Sequence, residues 1–99
     1  MSTPPVVLIN AFEVLEREDE AFLASWEQAR AHLAAQDGYL STRLHRSLSP
    51  TADFRFVNVA RWASAHAFQA AMSTPAFRNA NIPFPFHASL YEVIREDER

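Results

Sequence analysis

The stretch that decides the fold is NVARWASAHAFQAAMSTPAF, residues 58–77. Up to Trp62, apolar and polar residues alternate, as they do in a half-buried strand. Ser64 follows, a residue favoured at helix N-caps, and the alanine-rich segment after it is typical of a short helix. Thr74 and Pro75 repeat the pattern of a cap and a first helical residue. A strand therefore runs directly into a helix, and a second short helical segment follows.

Four segments of the chain have the composition and period of β-strands. Residues 6–14 are apolar and β-branched at their start, which favours a strand. Residues 39–48 and 54–62 alternate in polarity, and the short turn SPTAD between them predicts a hairpin. Residues 88–96 supply a last strand after an irregular connector with two prolines at residues 82–87.

One longer helix is predicted between the first two strands. Its apolar residues recur at the three- and four-residue spacing of an amphipathic helix: Phe22, Trp26, Ala29 and Leu33. Acidic residues 18–20 lie where a helix N-terminus favours negative charge, and Gly38 ends the helix. Because Gly38 is the only glycine of the chain, its turn is the place where a positive φ is expected.

The resulting order, βαββαβ, predicts an α+β fold of the ferredoxin-like type. In this arrangement one antiparallel sheet carries both helices on the same face. We expect a flexible lead-in at residues 1–5, a single domain at residues 6–95 and a charged tail at residues 96–99. The other face of the sheet stays uncovered in a monomer, so we predict a homodimer that forms through the sheet.

The composition argues against several classes of function. The formal charge is −3 and Lys and Arg do not cluster, so nucleic-acid binding is not expected. There is no cysteine, the four histidines fall on different elements, and one glycine cannot build a phosphate-binding loop, so we expect no metal and no nucleotide cofactor. No segment approaches the about 20 apolar residues of a membrane span, and no signal peptide is recognisable. We therefore expect a cytoplasmic protein without a membrane partner.

Three stretches carry a resemblance to a known family: INAFEV at residues 9–14, DGYLSTRLHRS at 37–47 and FVNVARWASAHAFQAAMSTPAF at 56–77. Together they resemble the antibiotic biosynthesis monooxygenase family of dimeric α+β barrels, over nearly the whole chain. The resemblance implies a dimer with one pocket per subunit on the helix-free face of the sheet. It also implies a choice of chemistries. Some members oxidise aromatic polyketides or quinols with O₂ and no metal or flavin, and others degrade haem or isomerise small signalling molecules.

The haem-degrading branch of that family implies three residues, of which this chain matches one. Its strand-one asparagine corresponds to Asn10, its helix tryptophan to Ala71 and its axial histidine to Asn81. Because a neutral asparagine is a poor iron ligand, haem degradation by this route is not expected. Haem binding stays an alternative that would require His87, six residues beyond Asn81, to act as the ligand.

Three polar residues inside predicted strands are the candidate catalytic groups. The amides of Asn10 and Asn58 could hold substrate oxygens or an O₂-derived anion, or they could only bond a neighbouring strand. His45 shares a predicted strand face with Tyr39 and Ser41. It is the candidate general base because an imidazole exchanges protons near neutral pH. The alternative for His45 is an exposed position on the edge of the hairpin.

Aromatic residues supply the expected substrate-binding pocket. Phe12 and Phe56 are predicted as its apolar walls. Phe84 and Phe86, set around Pro83 and Pro85, are predicted as a stiff flap over the pocket mouth or as dimer contacts, with His87 nearby. Trp62 is interpreted first as a packing residue at the strand-to-helix corner, and also as a pocket residue.

These residues lead to one main hypothesis and one alternative from another class. The main hypothesis is a monooxygenase without a bound cofactor, which oxidises an electron-rich aromatic or quinol with O₂. The substrate, deprotonated by His45 or a bound water, would itself reduce O₂, so the protein need only bind, orient and stabilise charge. The alternative is a non-catalytic dimer that binds a hydrophobic small molecule.

Overall fold

The computed structural model describes residues 5–79 and 82–99. These residues form the following elements in chain order: β1 (Val6–Phe12), a 3-10 turn (Glu16–Glu18), α1 (Asp19–Ala34), β2 (Tyr39–Arg46), β3 (Phe56–Trp62), α2 (Ala65–Met72), α3 (Pro75–Asn79) and β4 (Phe86–Tyr91). The predicted order of strands and helices is confirmed, and α3 is the short segment after the second helix. None of the helices in this described part of the chain is long and apolar enough to cross a membrane. The predicted lead-in, up to Pro4, and Asn81 lie outside the described residues.

The four strands form one sheet in the order β2-β3-β1-β4, and every neighbouring pair is antiparallel. This order and the helices on one face confirm the predicted ferredoxin-like fold. At the middle of β1, Asn10 lies opposite Asn58 on one side and Ala88 on the other. Because directly paired residues point to the same side of a sheet, this register fixes which side chains share a face.

The core lies on the face of the sheet that the helices cover. Two clusters of buried residues form it: Leu8, Ala60, Trp62 and Ala71 in one, and Phe12, Phe22 and Phe56 in the other. In the second cluster, the Phe22 ring of α1 stacks on Phe56 at a centroid distance of 4.5 Å and meets Phe12 edge-on at 4.8 Å. Such aromatic pairs contribute about 0.5–1.5 kcal/mol beyond the area they bury, so Phe22 fastens α1 to the sheet.

The sequence signals at the helix ends are confirmed. Ser64 caps α2 by accepting a hydrogen bond from the backbone N–H of Ala67 at 3.1 Å. Thr74 accepts from the N–H of Phe77 in the same way at 3.3 Å. Gly38 has a φ of +89°, the only positive φ among the described residues. A side chain at Gly38 would also collide with that of Ala67, so this glycine allows α2 to approach the turn closely.

The last strand begins and ends earlier than the predicted 88–96. β4 starts at Phe86, opposite Phe12, and ends at Tyr91 near the beginning of β1. Beyond Tyr91 the chain runs past β1, so strand pairing within the described residues stops there. The expectation of an irregular connector is therefore wrong for Phe86 and His87, because pairing with β1 draws both into the strand.

A β-bulge at the start of β2 changes the face that its first residue occupies. Tyr39 pairs with Trp62, and the next pair is Ser41 with Arg61, so Leu40 is the extra residue. Tyr39 therefore lies on the face of Trp62, whereas strict alternation places it with Ser41. That expectation is wrong because one inserted residue shifts the two-residue period.

One ion pair ties the start of α1 to the end of the β2–β3 hairpin. The Arg55 guanidinium donates to both carboxylate oxygens of Asp19, from Nε at 2.6 Å and from Nη2 at 2.7 Å. Arg46 approaches the same carboxylate at 3.8 Å. The hydrogen bond from Arg55 lowers the pKa of Asp19 from its ordinary value, although partial burial acts in the opposite direction.

Candidate functional site

A cavity of about 270 Å³ lies between the sheet and the helices that cover it. Its floor consists of strand residues: Leu8, Asn10, Phe12, Tyr39, Thr42, Asn58, Ala60, Trp62, Phe86 and Ala88. Its roof consists of Trp26, Ala29, Arg30, Leu33, Phe68, Met72 and Phe77 of the helices, together with Ile82. The lining is mostly apolar, as in small-molecule sites, and the volume is close to the lower end of their usual range of roughly 300–1,000 Å³. The cavity is therefore suited to a compact ligand.

This cavity lies on the opposite side of the sheet from the predicted pocket. The resemblance implied a pocket on the helix-free face, whereas the described cavity lies on the face that the helices cover. The reason is the phase of the strands. Asn10 alternates with Leu8 and Phe12, and Asn58 alternates with Trp62, so both amides turn toward the helices together with the core residues.

A short row of polar side chains crosses the floor of the cavity. Asn10 and Asn58 are directly paired neighbours on β1 and β3. The hydroxyl of Thr42 donates to Oδ1 of Asn58 at 3.4 Å. In contrast, Oδ1 of Asn10 is buried and has no hydrogen-bond partner among the described residues. Leu8 and Phe12 border the row, so a hydrogen bond to a ligand here would form in apolar surroundings, where it is strengthened.

Trp62 is both a packing residue and a wall of the cavity. It is completely buried, and the rings of Tyr39 and Phe68 meet it edge-on, each at a centroid distance of 5.5 Å. Its indole Nε1 is buried and has no acceptor among the described residues. Trp62 therefore has both of the positions that the sequence suggested: it packs in the core and it lines the cavity.

The two unpartnered atoms are a feature that packing alone does not explain. A buried polar atom without a partner costs about 1–3 kcal/mol. Asn10 offers an acceptor oxygen and Trp62 offers a donor N–H, and both residues line the same cavity. A ligand that brings a hydroxyl and a carbonyl or phenolate oxygen would satisfy both atoms.

Arg30 is the one charged residue among the described residues that line the cavity. It follows Trp26 by four residues on the inward side of α1. Its Nε donates to the two carboxylate oxygens of Glu27 at 3.0 and 2.8 Å, and its Nη2 donates to one of them. The hydrogen bond with Glu27 raises the pKa of Arg30, and the nearby hydroxyl of Tyr39 adds to this shift.

The two candidate histidines lie on the helix-free face, away from the cavity. His45 is exposed, with Nδ1 at 3.2 Å from the carbonyl oxygen of Val57. His87 is also exposed, with Nε2 at 2.9 Å from a carboxylate oxygen of Glu13. Both are one residue out of phase with the strand positions that pair with Asn10. The structure therefore brings neither histidine to the cavity.

The candidate aromatic residues divide between the cavity and the core behind it. Phe12 lines the cavity. Phe56 is buried against Phe22 and does not line it. Phe84 packs edge-on against Phe22 at 5.5 Å, so it joins the core, while the half-exposed Phe86 lines the cavity. Of the predicted flap, Phe86 is thus the residue at the cavity.

The residues present do not fit axial ligation of haem in this cavity. None of its described lining residues is a histidine. Ala71, the position of the family's helix tryptophan, is buried in the core, and His87 lies on the other face of the sheet. Within the described residues, no group of three His, Asp or Glu side chains could hold a metal ion.

Three of the polar residues that line the cavity were not identified from the sequence: Arg30, Tyr39 and Thr42. Arg30 had a readable signal, because it is a charged residue spaced four positions after Trp26 within the apolar stripe of α1. Tyr39 could not be found by alternation, since the bulge moves it to the other face. The bond from Thr42 to Asn58 depends on strand register, which the sequence does not specify.

Fold and cavity together define a small ferredoxin-like domain with a largely apolar cavity between its sheet and its helices. The sequence model of the family described as antibiotic biosynthesis monooxygenase matches residues 5–81. Because this match covers most of the chain, the protein belongs to the antibiotic biosynthesis monooxygenase family. No curated protein matches the chain significantly.

Solved structures agree with this family and fold. A candidate monooxygenase from Shewanella loihica PV-4 is 38% identical, with 97% of this chain and 99% of that chain covered and a TM-score of 0.86. SnoaB, a cofactor-independent oxygenase from Streptomyces nogalater, is 24% identical with coverages of 95% and 97% and a TM-score of 0.80. A candidate antibiotic biosynthesis monooxygenase from Bordetella bronchiseptica is 19% identical, with coverages of 94% and 100% and a TM-score of 0.77. The last two show similarity of fold.

Proposed function

We propose that this protein is a cofactor-independent monooxygenase that oxidises an electron-rich aromatic or quinol-type substrate with O₂ in the cavity under the helices. The observation that carries the proposal is the pair of unpartnered buried atoms, Oδ1 of Asn10 and Nε1 of Trp62, in the walls of one apolar cavity. Membership of the family and similarity to SnoaB, described as a cofactor-independent oxygenase, support this class of reaction.

The proposed reaction takes all its electrons from the substrate. Deprotonation of an acidic C–H or O–H group gives a carbanion or phenolate, which transfers one electron to O₂. The resulting radical and superoxide combine at carbon to a peroxide anion, and the proton removed in the first step returns to it and gives a hydroperoxide. Loss of water, which takes the remaining hydrogen on that carbon, leaves a new carbonyl group. One atom of O₂ enters the product and the other leaves as water. The protein's part is to orient the substrate and to stabilise the anion.

The cavity residues have separate parts in this scheme. The indole N–H of Trp62 donates to the phenolate or enolate oxygen, which carries the negative charge of the reactive anion. The amide oxygen of Asn10 accepts from a second hydroxyl of the substrate and fixes its orientation. Asn58, whose oxygen is engaged by Thr42, turns its NH₂ group to the same ligand. Because His45 lies on the other face, a bound water takes the proton in this proposal.

Oxygen uptake tests the proposal. A panel of quinols and polyhydroxylated aromatics is incubated with the wild type, with Asn10→Ala and with His45→Ala, without added metal or flavin. We expect uptake that falls about 10- to 100-fold in Asn10→Ala, the loss typical of one hydrogen bond to a charged or reacting group, and stays unchanged in His45→Ala. Labelled ¹⁸O₂ places one atom in the product. Equal loss of uptake in both variants would contradict the assigned cavity.

A non-catalytic binding protein is the second candidate function, favoured by the largely apolar lining of the cavity. This reading predicts stoichiometric binding of a planar aromatic without oxygen consumption beyond the uncatalysed rate. Asn10→Ala would then change only the affinity. Parallel titration and oxygen measurements on the same aromatic compounds separate the two functions.

We also propose that two copies associate through the helix-free face. Its centre is an apolar stripe of half-buried residues: Val7, Ile9, Ala11, Val57 and Val59. Burying this stripe against a second copy removes it from water, which is the main favourable term in such contacts. The test is the molar mass in solution. We expect a dimer for the wild type and a monomer for Val59→Glu, with Glu20→Gln, on exposed helix surface, as the control.

A further inference from the structure

Among the described residues, the roof of the cavity contains one charged residue, Arg30, and the catalysis proposed above does not use it. Along α1, the residues that turn to the sheet or the cavity are Phe22, Trp26, Ala29 and Leu33, all apolar, and among them stands Arg30. An arginine is always charged in proteins, and placing it in an apolar lining costs desolvation energy. A purely structural wall would be served by an alanine or a leucine at this position.

The guanidinium of Arg30 is held in one orientation from outside the cavity. Hydrogen bonds from Nε and Nη2 to Glu27 fix the fork and leave Nη1 as the group not engaged by that carboxylate. Glu27 lies one turn earlier on the helix and is not part of the cavity lining. Its side chain is 55% exposed against 34% for Arg30, so water screens the negative partner more than the positive one.

Tyr39 provides a second donor next to Arg30. Its side chain lines the cavity because of the β-bulge in β2, and it contacts Trp62 edge-on. Arg30 lines the same cavity from the α1 side. One free guanidinium nitrogen and one phenolic hydroxyl form a pair of donors, which matches the two oxygens of a carboxylate.

We propose that Arg30 and Tyr39 form an anion subsite and that the ligand of the cavity is a planar aromatic bearing a carboxylate. The inference rests on the proposed function, because it names the class of substrate for the same cavity. A phosphate, with more acceptor oxygens and a second charge, would need more donors than this corner supplies. The small volume of the cavity also favours the carboxylate. Arg30 is thus a specificity-determining residue, while Asn10 and Trp62 hold the ring oxygens.

Binding of a redox-inert pair of probes tests the subsite without any turnover. The probes are 2-naphthoate and 2-naphthamide, which have the same ring system and differ in charge, titrated calorimetrically at low ionic strength. We expect the wild type to prefer the carboxylate. In Arg30→Gln the ratio of carboxylate to amide affinity should fall about 10-fold or more, since a charge-assisted hydrogen bond is lost. Tyr39→Phe should lower the same ratio by a smaller factor.

The matched control is Glu27→Gln, which breaks the same ion pair from its other side. If Arg30 serves the ligand, Glu27→Gln leaves the guanidinium free of its competing carboxylate and raises the preference for 2-naphthoate. If the pair only stabilises α1, both variants lose stability and neither changes the affinity ratio, which would overturn the proposal. A wild type without preference for the carboxylate would overturn it as well.

A second variant keeps the test usable if Arg30→Gln is too unstable to titrate. Arg30→Lys retains the charge, so it should keep part of the preference for 2-naphthoate.

The proposed subsite and the proposed oxidation can fail independently of each other. If the protein prefers 2-naphthoate but shows no oxygen uptake with any carboxylated quinol, the proposed subsite stands and the proposed monooxygenase activity is rejected. If it oxidises a carboxylated quinol and its methyl ester with equal kcat/KM, the activity stands and the subsite is rejected.

Discussion

The two faces of the sheet are built from alternate residues of the same four strands and offer different surfaces. The helix-covered face places two amides and an indole N–H in the lining of an apolar cavity. The helix-free face has an apolar stripe at its centre, and basic or imidazole side chains extend from the positions around it: Arg43, Arg61, His45 and His87. One face is suited to a compact ligand, and the other to contact with another protein surface.

The contrast shows how much function depends on the phase of a strand. Asn10 and its neighbour Ala11 lie side by side in sequence, yet one reaches the cavity and the other the opposite surface. A slip of one residue would exchange the two faces completely. The bulge at Leu40 makes this exchange locally, and it is the reason that Tyr39 stands in the cavity.

The largest expected effect concerns the attachment of the helices to their face. Phe22→Ala removes the ring that packs on Phe12 and Phe56, so the free energy of unfolding should fall by about 3–5 kcal/mol. Phe54→Ala, at a ring that is 40% exposed, should cost much less. Chemical denaturation of both variants checks the difference, and equal losses would contradict the described core.

The next effect separates two neighbours on β3. Trp62→Phe keeps an aromatic ring but removes the N–H that we assign to the substrate oxygen, so kcat/KM should fall about 10- to 100-fold. Arg61→Gln, on the helix-free face, should leave kcat/KM unchanged. Steady-state oxygen uptake measures both. A loss in Arg61→Gln as large as that in Trp62→Phe would remove the distinction between the faces.

A smaller effect distinguishes the two amides within the cavity. Asn10→Leu replaces an unpartnered polar atom with an apolar one, so the free energy of unfolding should rise by about 1 kcal/mol while activity is lost. Asn58→Leu deprives the Thr42 hydroxyl of its acceptor and should instead destabilise the fold. Thermal or chemical unfolding of the pair gives the signs. Stabilisation by both substitutions would argue against the assigned hydrogen bond.

The smallest effect lies at the Asp19–Arg55 ion pair, at the edge of the covered face. Because Arg55 lowers the pKa of Asp19 in the folded protein, the carboxylate contributes stability above the pKa of the unfolded chain and loses it as the pH falls through the lowered value. Asp19→Asn should therefore reduce the loss of unfolding free energy between pH 7 and acidic pH. Urea titrations at both pH values measure this, with the exposed Asp53→Asn as the control.

Most of the fold could be predicted from local chemistry. A few neighbouring residues decide each of these features, and the structure confirms them: the caps at Ser64 and Thr74, the turn at Gly38 and the alternation before Trp62. The end of β4 was not predictable in this way. The apolar residues after Tyr91 have strand propensity, but pairing ends where β1 begins.

The candidate site could be predicted only in part. Alternation correctly put Asn58 on the face of Trp62, because a two-residue period is visible in the sequence. It could not show that His45 stands on the other side of the sheet from Asn10, since the relative phase of two strands is set by hydrogen-bond register. The unpartnered state of the Asn10 oxygen depends on every neighbour in three dimensions, so composition and spacing contain no trace of it.

The turn at Gly38 offers a way to change the size of the ligand that the cavity can hold. A single β-carbon there would press on Ala67 in α2, the helix whose next residue, Phe68, forms part of the cavity roof. The height of the roof above the strands is therefore set by a contact outside the cavity itself. The substitution Ala67→Gly, with Gly38 kept, would remove this contact and let α2 move closer to the sheet. The cavity would then be narrower and suit smaller ring systems, while Asn10 and Trp62 stay unchanged.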